Sequence, residues 1–297
     1  MRVGVLMLPT DPWPETLERA ARIEALGYDH FWTYDHLSWR RYRGRTWFAA
    51  IPWLTGIAGV TSRVELGTMV ASPNMRNPVT LAQDAVTIDH VSDGRFILGV
   101  GAGGIGFDAT VFGDEPLSRA QLFARLEEFV DLLDQLMLEP TVSHAGTYYT
   151  VNDACIRPAS VQRPRVPIAI AAAGPRALDL VARRGDAWIT IVGPSEESPA
   201  EVEAIARTRA AQLDEACATI GRDPKSVRRI YLVGTTGERP LASVGAFDDF
   251  VGRYAALGFT DVVFHHPRPD DPVWNEPAEI VERIATEVLP RLRSAPD

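Results

Sequence analysis

The chain has 297 residues, 46% hydrophobic and 23% charged, a globular composition at a size that one barrel domain commonly reaches. Its 39 acidic against 30 basic side chains leave a net charge of −9, which argues against nucleic acid or an anionic membrane as a partner. Cys155 and Cys217 show no CxxC and no Cys/His ligand spacing, so neither a disulfide framework nor a metal site is expected.

From Met1 the chain runs directly into an apolar strand without a cleavable leader, and no apolar run approaches the roughly 18 residues of a membrane span, so a cytoplasmic protein is expected. Strands are predicted over 3–8, 30–33, 64–68, 95–100, 167–172, 187–191, 229–233 and 261–264. Helices are predicted to follow over 14–26, 47–59, 78–90, 118–138, 175–183, 199–220, 246–257 and 277–292. Eight such units predict a single-domain (β/α)8 TIM barrel over 1–297. Ser118 with Gln121 reads as a capping box, and Gly27 and Gly258 read as C-terminal caps. Runs such as Ile168-Ala169-Ile170-Ala171 suit strands buried on both faces. Residues 141–164, after the fourth helix, break the period and read as an insertion with a small hairpin around Tyr148 that covers the site.

In a closed parallel barrel the chemistry sits where strands end, which directs attention to the loops after them. The second strand leads into Tyr34-Asp35-His36-Leu37-Ser38-Trp39. There a carboxylate and an imidazole suit general acid or base work, or else a turn cap with a packed histidine. Met69-Val70-Ala71 follow the third strand. The run from Gly99 to Gly106, with Gly101, Gly103 and Gly104, fits G-x-G-x-x-G only weakly, because the next helix waits until Ser118. It reads as a strand end bare enough for a planar ring to approach, or as a tight turn. Ala172-Ala173-Gly174-Pro175-Arg176 sets a small-residue loop at a helix start, suited to a phosphate with Arg176 as charge partner, or simply an ordinary helix start. The sixth strand leads into Gly193 and Pro194. Arg40, Arg41, Arg43 and Arg45 face an anionic cofactor tail or form a solvated loop. His265 and His266 end the last strand, and alternation lets only one of them face a pocket. With no metal-ligand spacing, no G-x-S-x-G elbow and Lys225 as the only lysine, an organic cofactor is the expected source of reactivity.

These loops are similar to those of the luciferase-like flavin and deazaflavin oxidoreductases. The likeness is carried by Gly27-Tyr28-Asp29…Trp32…Asp35-His36, Leu66-Gly67-Thr68-Met69-Val70…Arg76-Asn77-Pro78, Asp93-Gly94-Arg95-Phe96…Gly101-Ala102-Gly103 and Ala172-Ala173-Gly174-Pro175-Arg176. The resemblance implies a ring laid across the strand ends over Asp35, Met69, Val70, Ala71, Gly101, Gly103 and Gly104, with a non-proline cis peptide at Met69-Val70. It further implies a phosphate end at Ala172, Ala173, Gly174 and Arg176. Asp35-His36 and Trp39 look like the branch that uses the deazaflavin coenzyme F420, with FMN as the alternative cofactor. His36 and Asp35 would be the catalytic pair. Gly104 stands where sugar-phosphate dehydrogenases of that branch carry an acid, which leaves Asp108 as the nearest loop carboxylate and weighs against sugar-phosphate oxidation. The expectation is hydride transfer between F420 and a small, mainly apolar substrate in a pocket of Trp39, Phe107, Asp108 and His265. The alternatives are an FMN-dependent monooxygenase fed by a reductase and a non-catalytic flavin-binding barrel. The apolar stretch from Trp47 to Leu54 further suggests a homodimer.

Overall fold

The computed structural model describes residues 1–104, 106–192 and 198–294, so Gly193 and Pro194 of the sixth loop lie outside the described residues. The strands are β1 (Arg2–Leu6), β2 (His30–Thr33), β3 (Glu65–Thr68), β4 (Phe96–Val100), β5 (Val142–Ala145), β6 (Thr150–Ala154), β7 (Ile168–Ala171), β8 (Ala187–Thr190), β9 (Arg228–Leu232) and β10 (Asp261–His265). Eight of them close into a parallel barrel in the order β1-β10-β9-β8-β7-β4-β3-β2, while β5 and β6 form the expected hairpin. Parallel ladders such as Leu98↔Ile168, Gly99↔Ala169 and Val100↔Ile170 set the register, and an isolated bridge between Ala71 and Val100 carries the pairing past the end of β3.

The helices are α1 (Trp13–Leu26), α2 (Ala50–Ala58), α3 (Pro78–Val91), α4 (Arg119–Leu138), α5 (Pro175–Arg184), α6 (Pro199–Thr219), α7 (Val244–Ala256), α8 (Glu279–Glu287) and α9 (Leu289–Ser294). Their ends follow from local chemistry. Ser118 and Gln121 form the capping box of α4, and Ser198 with Glu201 forms a second at α6. Gly27 and Gly258 take φ of 88° and 84°, reversing the chain after α1 and α7 as expected of C-terminal caps. Two of the boundaries that differ from the sequence reading have a local cause. The last helix splits at Val288, because Pro290 has no N–H to donate to the turn before it. Helix α2 begins at Ala50, not at 47: Phe48 instead gives its N–H to the Pro9 carbonyl and Trp47 gives its indole N–H to the His36 carbonyl. Within α2, Ile51, Trp53, Leu54 and Ile57 are buried in the chain's own core, whereas Phe48, just before the helix, is exposed.

The residues cluster into two compact units. One comprises Met1–Met7, Ala21–Phe31 and Ala172–Asp297; its core is aromatic, with Tyr231 4.1 Å from Tyr254 and Trp188 stacked 5.5 Å from Phe259, ring to ring. The other comprises Leu8–Ala20 and Trp32–Ala171, with Trp32, Trp53, Phe96 and Phe129 fully buried. Among the described residues no helix is long and apolar enough to cross a membrane.

Candidate active site

The second unit brings the ends of β2, β3, β4 and β7 side by side. The Met69 N–H reaches the Thr33 carbonyl, the Ala71 N–H reaches the Gly99 carbonyl, and the Gly101 N–H reaches the Ala71 carbonyl. The Met69-Val70 peptide is cis, as the resemblance implied. A Cβ built on Gly101 would come 2.7 Å from Val70 Cγ2 and 3.4 Å from Ala171 Cβ. Val70 therefore fills the space above Gly101, and the strand ends form a flush floor of small apolar groups. Two residues on, Gly103 takes φ of 77°, and a Cβ there would meet the Asn74 amide at 2.5 Å. That amide donates to the Gly104 carbonyl at 2.9 Å, and its oxygen accepts from Arg125 on α4. The glycine loop after β4 is thus pinned to the loop after β3.

Asp35 and His36 leave β2 in opposite directions and meet different partners. Asp35, 2% exposed, is locked by Arg76 in a two-point pair, Nε to Oδ2 at 2.8 Å and Nη2 to Oδ1 at 2.6 Å. The hydrogen bond to Asp35 outweighs burial and raises the Arg76 guanidinium above its ordinary pKa. The half-buried His36 finds its carboxylate 72 residues away in sequence: Nδ1 lies 2.5 Å from Asp108 Oδ2. The other Asp108 oxygen accepts from the Leu37 N–H at 3.2 Å. With Nδ1 engaged and the backbone carbonyl held by Trp47, the ring presents Nε2 as its remaining polar atom. The sequence placed Asp35 beside His36; the fold assigns that partnership to Asp108.

An aromatic and cationic rim adjoins this pair. The Tyr34 ring stands edge-on to His36 at 5.9 Å and tilted to Trp39 at 4.9 Å. Arg40 lies over Trp39 at 4.6 Å and Arg43 over Phe107 at 4.2 Å. Beyond the glycine loop, a cavity of about 370 Å³ is lined by Asn74, Gly104, Leu117, Arg125, Tyr148 and Tyr149 among others. Tyr148 and Tyr149 belong to the insertion, so the hairpin does wall a cavity next to the glycine loop. Trp39, Phe107 and Asp108 lie outside that cavity's lining.

The first unit holds the remaining predicted residues. Ala172 is buried, tied by its N–H to the Ile189 carbonyl and by its carbonyl to the Trp188 indole. Ala173, Gly174 and Arg176 are exposed where α5 begins, and Gly174 caps the helix without a side chain. A second cavity of about 370 Å³ touches Ala173, Pro175, Thr208 and Arg209. His265 is fully buried and stacked 3.6 Å from Trp274, whereas His266 is the half-buried member of the pair. Sequence reasoning overlooked Arg76, Trp47 and Asn74 as site residues, although Arg76-Asn77-Pro78 was among the motifs and its arginine was open to a functional reading.

Comparison with known proteins extends this picture. An F420-dependent glucose-6-phosphate dehydrogenase of Beutenbergia cavernae is 32% identical, with 91% of this chain and 91% of that protein covered. One of the same description from Kineococcus radiotolerans is 31% identical, covering 92% and 91%. Among solved structures, an F420-dependent secondary alcohol dehydrogenase in complex with an F420-acetone adduct superposes with a TM-score of 0.79 at 18% identity, covering 95% of this chain and 97% of its own. The coenzyme F420 dependent tetrahydromethanopterin reductase from Methanopyrus kandleri gives 0.75 at 17%, covering 98% and 99%. At such identities these two structures speak for the fold. The family model described as luciferase-like monooxygenase matches residues 1–236, and on that match the chain belongs to the luciferase-like monooxygenase family.

Proposed function

We propose that this protein is an oxidoreductase that uses coenzyme F420 to pass a hydride to or from a small organic substrate. One observation carries the reading: the strand ends carry both a histidine fixed through one ring nitrogen and a floor of small apolar groups at Val70, Gly101 and Ala171. A planar tricyclic ring needs such a surface, and Gly101, with the small side chains of Val70 and Ala171 packed where its Cβ would go, offers only small apolar groups there. The named activities of the relatives, F420-dependent in both cases, support the same cofactor.

On this reading the backbone of Met69, Val70, Ala71, Gly101, Gly103 and Gly104 supports the ring, and Asp35 closes its edge. Ala173 and Gly174 offer backbone to the phosphate end where α5 begins, with Ala172 buried behind them and Arg176 as the charge partner. The bound deazaflavin supplies a carbon that accepts or donates the hydride. His36 Nε2 takes or returns the proton of the substrate's oxygen, while Asp108 holds the imidazole through Nδ1 and stabilises it when charged. Trp39 and Phe107 give the substrate an apolar wall. His265, buried against Trp274, contributes to the wall behind and makes no direct contact.

Titration of the apoprotein with F420 and with FMN, followed by ring fluorescence, tests the assignment. F420 is expected to bind at least tenfold more tightly. His36→Ala should keep F420 affinity within twofold while losing turnover at least a hundredfold. Preference for FMN together with oxygen consumption would replace the proposal with a two-component monooxygenase.

A further inference from the structure

Arg40, Arg43 and Arg45 stand apart in an acidic chain. Carboxylates outnumber cations by 39 to 30, and arginines elsewhere meet them readily, as Arg19 meets Asp11, Arg165 meets Asp134 and Arg239 meets Glu276. Arg40, Arg43 and Arg45 are exposed and make no ion pair with a carboxylate among the described residues. Three unneutralised cations within six residues repel one another, an arrangement that an arriving anion relieves.

Two of the three are also held in place. The Arg40 guanidinium carbon lies 4.6 Å from the Trp39 ring centre, and that of Arg43 lies 4.2 Å from Phe107. Both rings are linked to His36 through one intervening residue: Trp39 packs on Tyr34, which meets His36, and Phe107 immediately precedes Asp108, the carboxylate that anchors the imidazole. A guanidinium laid over a ring spends its face on the ring and keeps its N–H edge open. That edge matches two oxygens of a carboxylate or phosphate, which a flexible lysine would not match as well.

We propose that Arg40 and Arg43, with Arg45 adding charge, form an oxyanion-recognition edge at the mouth of the site. The substrate is then a small organic carboxylate or phosphate monoester, its apolar middle along Trp39 and Phe107 and its reacting carbon toward His36. This rests on the oxidoreductase reading above for the role of the group it recognises, and the anion binding itself is measurable without turnover.

The test uses hexanoate, hexyl phosphate and hexanol as probes, with binding followed by NMR on the full chain, with and without F420, at low and at physiological salt. The wild type should bind one or both anions at least tenfold more tightly than hexanol, with the advantage shrinking as salt rises. The comparison of hexanoate with hexyl phosphate identifies which oxyanion is preferred. Arg40→Ala/Arg43→Ala should erase the advantage, Arg40→Lys/Arg43→Lys should keep part of it, and Arg207→Ala, on the exposed face of α6, should leave it intact. Should the double alanine variant lose its fold by circular dichroism, Arg40→Gln/Arg43→Gln carries the same expectation. Equal binding of the three probes to wild type, or an anion preference that survives the double substitution, overturns the proposal. So does a double variant that loses F420 affinity while its hexanoate binding is unaltered, since that would assign the arginines to the cofactor. Failure of the wild type to bind F420 would instead count against the oxidoreductase reading, while probe binding without F420 still decides on the oxyanion edge.

Discussion

At the scale of single residues, the deciding feature is that two adjacent side chains, Asp35 and His36, serve different partners. Asp35 is buried and held at two points by an arginine, an arrangement that fixes a loop more than it moves protons. His36 is half-exposed and oriented through Nδ1, so one nitrogen is anchored and one is available. On the proposed function Asp108 is a positioning residue, acting through His36. Asp108→Asn is expected to lower kcat about tenfold to a hundredfold with KM changed less than threefold, and Asp108→Glu to recover part of the loss. Steady-state kinetics on the three proteins separates this from a general loss of structure, which would lower F420 affinity as well.

At the scale of elements, the insertion shows how one side chain organises a hairpin. Glu128 on α4 accepts N–H groups from Thr147 at 3.1 Å, Tyr148 at 3.0 Å and Tyr149 at 2.8 Å, and lies 3.1 Å from His144 Nε2. Burial pushes its carboxyl upward, but the hydrogen bonds from Tyr148, Tyr149, His144 and Thr147 together outweigh burial and hold it below its ordinary value of 4.5. The carboxylate's contribution is therefore complete above pH 4.5 and is lost as pH falls through the lowered value. Glu128→Ala should cost the amides of Thr147, Tyr148 and Tyr149 about tenfold or more in hydrogen-exchange protection while the barrel strands keep theirs. Unchanged exchange at those three amides would mean that β5–β6 pairing alone holds the turn. The hairpin was legible as an insertion because a Gly precedes a β-branched run. Its attachment was not, because Glu128 sits mid-helix with nothing in its sequence neighbourhood to mark it as a cap for a distant turn.

At the scale of the whole molecule, stability at acid pH centres on a group unrelated to catalysis. His30, at the start of β2, is fully buried and places Nε2 2.9 Å from Asp261 on β10. Arg228 also grips Asp261, Nε to Oδ2 at 2.8 Å and Nη2 to Oδ1 at 2.5 Å, and the Thr260 hydroxyl adds a 2.6 Å bond. Burial opposes the charge on Asp261, but these partners outweigh it and hold the carboxyl far below its usual range. For His30 burial dominates over the attraction of Asp261 and lowers its pKa from the ordinary 6.5. A lowered folded value means the unfolded chain takes up the proton first: His30's contribution is complete above pH 6.5 and declines as pH falls below it. Urea midpoints should therefore fall between pH 6.5 and pH 5 in the wild type, and the slope over that interval should flatten in His30→Asn even though that variant starts less stable. An equally steep slope in the variant would assign the acid sensitivity to other groups.

Read along the chain, the eightfold alternation of strand and helix, the caps at Gly27, Ser118 and Gly258, and the rim position of Asp35, His36, Val70 and Gly101 all follow from sequence, because hydrophobic periodicity, capping chemistry and strand-end position are local or follow from chain order. The pairing of His36 with Asp108, of Asp35 with Arg76, of Asn74 with Arg125 and of Glu128 with the hairpin turn was decided only in three dimensions. A side-chain hydrogen bond depends on distance and direction between atoms that the chain brings together across 19 to 72 residues, and residue types along the sequence carry neither.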